Sequence, residues 1–153
     1  MILISACLLG VNCKYDGSNS LAPDIISKFE KEGIIPVCPE QLGGLGTPRI
    51  PSEILSGTGK DVLDGEVRVL NSNGEDVTTF FLKGAIETAK IAKKSNIKRA
   101  ILKSNSPSCS SSLIYDGTFT SKLIDGDGVT GALLKREGIQ VYSEKNYLDI
   151  LLK

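Results

Sequence analysis

Three of the four cysteines in this chain each follow a short apolar run. Ile2-Leu3-Ile4-Ser5-Ala6 ends at Cys7. Gly33-Ile34-Ile35-Pro36-Val37 ends at Cys38. Ala100-Ile101-Leu102-Lys103 continues through Ser104-Asn105-Ser106-Pro107-Ser108 to Cys109. Apolar runs of this length are expected to be buried strands. If the three strands lie parallel in one sheet, their thiols gather at its carboxyl edge, where open α/β sheets bind ligands. Any one buried cysteine is most simply a packing residue; three at separate strand ends argue for more. Grouped thiolates suit zinc or an iron–sulfur centre. The paired Cys-x-x-Cys of zinc ribbons is missing, which makes zinc the weaker option. Three protein thiolates on a four-iron cluster would leave one iron open as a Lewis acid. Cys13 falls in a loop and ranks below the other three, as a fourth ligand, a bystander or a resolving thiol.

Glu40 follows Cys38 by two residues. The bland account makes it a solvated loop carboxylate paired with Arg49. The functional account makes it a proton-transfer group tuned by partial desolvation. No histidine exists to compete with it. That absence also removes imidazole-assisted Ser or Cys nucleophiles and imidazole metal ligands. The loop Gly43-Gly44-Leu45-Gly46 would let backbone approach a ligand closely. It is neither a dinucleotide fingerprint nor a P-loop. The serine-dense stretch Ser104–Ser112 is either a flexible polar loop or a hydroxyl-lined pocket wall, and its place after a strand favours the wall.

With 153 residues, the chain is expected to form one domain spanning 1–153. Eighteen basic residues balance eighteen acidic ones, and aromatics make up only 5%. Neither nucleic acid nor an anionic membrane is therefore expected as a partner. The Ile4-Ser5-Ala6-Cys7 sequence looks like a lipidation box, but it lacks a basic leader and a long enough apolar run. The expectation is a soluble cytoplasmic protein, monomeric or homodimeric, acting on a small molecule.

The elements that must position these residues follow in order. A helix is expected from Pro23 to Gly33, with Ile25, Ile26 and Phe29 facing inward. Thr47–Gly59 should be irregular. Asp61–Val77 should form a hairpin turning at Asn71-Ser72-Asn73-Gly74. A long helix should run from about Thr78 to Ser95, burying Phe81, Leu82, Ala85, Ile86, Ala89 and Ala92. Ser104–Asp127 is a long loop with a short helical turn or hairpin. Asp127 is expected to cap a helix carrying Val129, Ala132, Leu133 and Leu134. A fourth strand covers Ile139–Tyr142. A last helical turn from about Glu144 should pack Tyr147, Leu148, Ile150 and Leu151. This order predicts an α/β fold with an open, mostly parallel, Rossmann-like sheet, helices on both faces and a small β-hairpin insertion. Tyr15-Asp16-Gly17 and Tyr115-Asp116-Gly117 echo each other, as a pseudo-symmetric pair of turns or by coincidence.

Several of these segments, taken together, resemble the 2-thiouracil desulfurase family, also known as domain of unknown function 523. They are Ile4–Gly10, Tyr15-Asp16-Gly17, Pro36–Glu40, Gly43-Gly44-Leu45, Pro48-Arg49, Asp76-Val77-Thr78, Ser106-Pro107-Ser108-Cys109 and Tyr115-Asp116-Gly117. The resemblance runs in order over nearly the whole chain. It implies a 4Fe-4S cluster held by Cys7, Cys38 and Cys109, with one iron not ligated by protein. It implies a non-redox hydrolysis in which 2-thiouracil and water give uracil and hydrogen sulfide. It assigns proton handling to Glu40, a catalytic positioning role to Ser106, and substrate contacts to Ser5, Asp16 and Ser108. Two positions depart from the family pattern: Ser110 stands where glycine is usual, and Cys13 is an extra thiol. The rival functions are desulfidation of another thioamide-like metabolite and a non-catalytic metal-binding or redox-sensing module.

Overall fold

The computed structural model describes residues 1–153. At its centre are four parallel strands: β1 (Ile2–Ser5), β2 (Ile34–Val37), β5 (Arg99–Leu102) and β8 (Gln140–Ser143), in the order β2-β1-β5-β8. Ser5 pairs with Val37, Ile4 with Ile101, and Leu102 with Ser143. β1 is shielded on both faces, as its three consecutive apolar residues Ile2-Leu3-Ile4 require, and its last residue, Ser5, is buried too. Ile2 and Ile4 join Ile25, Phe29, Ile101, Tyr142 and Ile150 in one core. Leu3 faces the other way, onto Val37, Ala92, Ala100, Leu102 and Leu134. Helix α1 (Pro23–Phe29) therefore covers one face, while α4 (Thr78–Lys94) and α5 (Val129–Arg136) cover the other. β2 is an edge strand and only Val37 of it is buried, contrary to the expected buried strand. Pro36, which has no N–H to donate, is tolerated there because one side of an edge strand has no partner.

The remaining elements build a cap over the carboxyl ends. They are α2 (Pro39–Leu42), β3 (Ser52–Ile54), α3 (Gly59–Leu63), β4 (Val69–Asn71), β6 (Leu113–Tyr115) and β7 (Leu123–Asp125). Two antiparallel pairs, β3–β4 and β6–β7, form here over a third core of Ile54, Val62, Val69, Phe81, Ala85, Ile114 and Val129. The expected hairpin over Asp61–Val77 is only partly present. Its turn exists, closed by a bridge between Leu70 and Asp76. Its first arm, however, is helix α3, started where the Asp61 carboxylate accepts from the Thr58 N–H at 2.9 Å and the Thr58 hydroxyl at 3.1 Å. β4 pairs instead with β3, inside the stretch expected to be irregular.

Three smaller expectations are also corrected. Ile86 is exposed, because Gly84 and Thr88 take the inner positions of α4. Asp127 does not cap α5; the cap residue is Gly128, and Asp127 pairs with Lys135 Nζ at 2.8 Å. The C-terminal turn is a 3-10 helix over Tyr147–Leu152 that buries Ile150 and leaves Leu148 and Leu151 exposed. Glu144 lies outside it and folds back onto Lys103 and Ser104. The Tyr-Asp-Gly echo is structural. Asp16 Oδ1 accepts from the Ser18 N–H, and Asp116 Oδ1 from the Thr118 N–H, at 3.0 and 2.9 Å. Each turn then places a glycine at positive φ.

Candidate functional site

β1 is central, β2 lies on one side of it and β5 on the other, so the chain reverses its direction of travel across the sheet at β1. Loops leaving neighbouring strands at such a point diverge and open a crevice beyond the carboxyl ends. Cys7 sits in the 3-10 turn Ala6–Leu9 directly after β1, Cys38 is the residue before α2, and Cys109 ends the serine loop after β5. All three, with Cys13, line one cavity of about 430 Å³, within the range of small-molecule sites. All four cysteines are free. No group of three Cys, Asp or Glu side chains is close enough to share a single metal ion.

Burial shapes the thiols. It pushes Cys7 up to about 11, against the opposing charge of Lys103. It also raises Cys109, while a hydrogen bond from Ser5 pulls back. Cys13 is raised by burial and by Cys38 and Cys7 beside it. As neutral thiols these groups are protonated at pH 7, and binding a metal would release their protons. Two of the thiols already have a hydrogen-bond partner, Cys38 as donor and Cys109 as acceptor. The Cys38 thiol reaches the Cys13 carbonyl at 3.7 Å, and the Ser108 hydroxyl reaches Cys109 Sγ at 3.7 Å.

Glu40 is carried on the first turn of α2 and lines the cavity. It is not solvated: its side chain is 14% exposed and that of Arg49 is 8% exposed. Arg49 donates Nε and Nη2 to Glu40 Oε2, Nη2 to the Cys13 carbonyl, and Nη1 to Thr47 Oγ1. Glu40 Oε1 accepts nothing from the chain. α2 is seated by a pair of glycines. A Cβ on Gly43 would strike the Phe80 carbonyl, and one on Gly84 would strike the Pro39 carbonyl. The glycine loop thus admits another helix and not a ligand; Gly43, Gly44 and Gly46 do not line the cavity.

Ser106 and Ser108 line the cavity too. Ser106 Oγ accepts from the backbone N–H groups of Ser108 and Cys109 at 3.2 and 3.1 Å and lies 3.1 Å from Ser108 Oγ. The serine stretch is therefore a built turn. Ser110, where the family pattern has glycine, is fully buried and bonds to the Leu113 carbonyl within that turn. Ser5 is buried in the cavity wall, its hydroxyl accepting from the Lys103 N–H at 2.9 Å. Asp16 is not brought to the cavity. Its carboxylate is exposed and held down by Ser18, whose hydroxyl and N–H keep it below the usual carboxylate range.

The wall also contains residues not singled out as site residues from the sequence: Lys103, Asn105, Glu53, Tyr115 and Phe119. Lys103 directly follows β5, where the alternation of a short strand does not say which way it points. Glu53 lay in a stretch expected to have no regular structure.

A family model described as 2-thiouracil desulfurase matches residues 2–146. The chain belongs to the 2-thiouracil desulfurase family. It is 48% identical over 151 residues to the Bacillus subtilis (strain 168) protein YbbK, covering 99% of this chain and 100% of that one. It is also similar to the solved structure of TudS (DUF523Vcz), a 4Fe-4S-dependent thiouracil desulfidase. That match has a TM-score of 0.86 and 38% identity and covers 99% of this chain and 95% of the other. The α/β fold expected from the order of elements is thereby established for a member of this family.

Proposed function

We propose that this chain hydrolyses 2-thiouracil to uracil and hydrogen sulfide, with a 4Fe-4S cluster held by Cys7, Cys38 and Cys109. The observation that carries this reading is the convergence of those three thiols, from three parallel strands, on a single cavity. The stated cluster dependence and substrate of the solved relative support it. When bound, such a cluster would supply an iron without a protein ligand as a Lewis acid for the thiocarbonyl sulfur.

The chain's own groups have separable tasks. Glu40 Oε1 is unengaged, while Oε2 is pinned by Arg49; Glu40 takes a proton from the attacking water and returns it to the departing sulfide. Ser106 fixes the backbone that leads into Cys109, and Ser108 presents a hydroxyl to that thiol. Ser5 takes up the Lys103 N–H and stands in the cavity wall, in a place to contact the substrate. Asp16 holds its own turn and stands apart from the chemistry. Water is consumed, one C–S bond is replaced by one C–O bond, and no electrons are transferred. No helix is long and apolar enough to cross a membrane, and the free thiols suit the reducing cytoplasm.

The test is iron and acid-labile sulfide per chain after purification without oxygen, followed by sulfide release from 2-thiouracil. About four iron and four sulfide are expected. Cys7→Ser, Cys38→Ser and Cys109→Ser should each lose the iron, and Cys13→Ser should keep it. Glu40→Gln should keep the iron and slow sulfide release by about 10²- to 10⁴-fold. Finding no iron after anaerobic reconstitution would overturn the proposal.

A further inference from the structure

Glu53 is a second carboxylate in the cavity wall, on β3, and is 9% exposed. Its Oε1 is fully occupied, accepting from the Gly117 N–H at 3.0 Å and the Phe119 N–H at 3.2 Å. These bonds hold the tip of the β6–β7 hairpin against β3. Gly117 permits the approach: it has φ +94° and a Cβ there would meet the Ile54 carbonyl. Glu53 joins none of the ion pairs of the chain. Oε2 accepts no hydrogen bond from the chain. It is not one of the shielded, unpartnered atoms either, which are Asn105 Oδ1, Thr130 Oγ1 and Tyr142 OH. Oε2 therefore keeps access to open space, and the open space that Glu53 borders is the cavity.

We propose that Glu53 is a substrate-recognition residue whose Oε2 accepts an N–H of the ring carrying the thiocarbonyl. This rests on the function proposed above and names the feature of the substrate that the site selects. The charge balance singles out Glu53. Glu40 faces the same cavity but is neutralised by Arg49, so Glu53 is the carboxylate whose charge is left for a ligand. A buried anion with a spare lone pair calls for a donor. A cyclic thioureide brings N–H donors on either side of its C=S group. A ring alkylated at the recognised nitrogen offers no donor and is rejected.

The orientation is locked, which makes the substitution informative. In Glu53→Gln the amide oxygen must stay with the Gly117 and Phe119 N–H groups. The amide NH₂ is then forced toward the cavity, where it opposes the ring N–H.

The test measures binding of uracil, 1-methyluracil and 3-methyluracil to the anaerobically reconstituted protein by calorimetry, beside sulfide release from 2-thiouracil. For the wild type, one methyl isomer should bind about ten- to a hundredfold more weakly than uracil, and the other nearly as well. In Glu53→Gln, with iron content and Tm close to wild type, uracil binding should weaken by a similar factor and the gap between the isomers should close. Unchanged uracil binding by Glu53→Gln, or an unchanged gap, would overturn the proposal and leave the desulfurase function standing. Equal binding of all three rings to the wild type would also overturn it, even if the variant did not fold. No sulfide from 2-thiouracil with fully loaded wild type would overturn the function itself, and the proposal with it.

Discussion

Arg49 spends its whole guanidinium on the loops around Glu40. It ties the carboxylate, the Cys13 carbonyl and Thr47 together, while its own N–H bonds to the Tyr15 carbonyl at 2.7 Å. Arg49→Met would leave Glu40 charged and unpaired in a nearly buried place. The expected cost is about 3 kcal/mol, read from urea denaturation. Sulfide release should fall with it, because Glu40 loses its fixed orientation. Arg49→Lys should recover only part of either loss, since one ammonium cannot reproduce a planar fork serving four acceptors, the Gly46 carbonyl included. The pairing of Glu40 with Arg49 was one of the two accounts weighed from sequence. Its burial was not legible there, because it depends on α2 being pressed against α4.

That contact sets the behaviour of the elements. α2 has only four residues and cannot stand alone. It is held in place by backbone packed on backbone at Gly43 and Gly84. Gly84→Ala would force α2 outward and carry Cys38 and Glu40 with it. We expect a loss of about 2–4 kcal/mol in stability together with reduced iron content, although Gly84 touches neither thiol nor cavity. Measured iron equal to wild type in the folded variant would show that the cysteine site does not depend on this contact.

Glu144 couples β8 to the loop after β5. Burial raises its affinity for a proton, but hydrogen bonds from Lys103 and Ser104 outweigh that and hold it below the usual carboxylate range. A depressed folded pKa contributes stability above the unfolded value, near 4.3, and the contribution is lost as pH falls through the folded value. Glu144→Gln should therefore cost about 2 kcal/mol at pH 7. That difference should shrink toward zero below about pH 4 in denaturation curves taken across the range. Glu144 had been expected to start the last helix; a tertiary partner 41 residues earlier in the chain, Lys103, claims it instead.

For the whole molecule, the buried thiols set the response to alkali. Without bound metal, a thiol whose folded pKa is raised, as for Cys7 to about 11, favours the native state while it stays protonated. Its contribution is complete below the unfolded value, near 8.5, and is lost as pH rises toward the folded value. The metal-free chain should lose stability steadily from about pH 9 upward. Cys7→Ser should flatten that decline, as followed by denaturant midpoint against pH. A midpoint independent of pH up to 11 would show that Cys7 is not buried as a neutral thiol.

The sequence alone determined a good deal. The main strands and helices followed from local apolar period, glycine stops and proline starts, because a strand such as β1 that is shielded on both faces must be mostly apolar. The three cysteines at strand ends were legible for the same reason: a parallel sheet brings all carboxyl ends to one edge wherever its strands lie in sequence. The tertiary structure decided the order β2-β1-β5-β8, and with it the reversal at β1 that opens the crevice. It also decided that β4 pairs with β3, that Glu53 faces the cavity and that Asp16 does not. These depend on contacts between segments far apart in sequence, such as Glu53 with Gly117 and Gly84 with Pro39. A pattern of period two or 3.6 says which face of an element is apolar, but not which distant backbone will be packed against it.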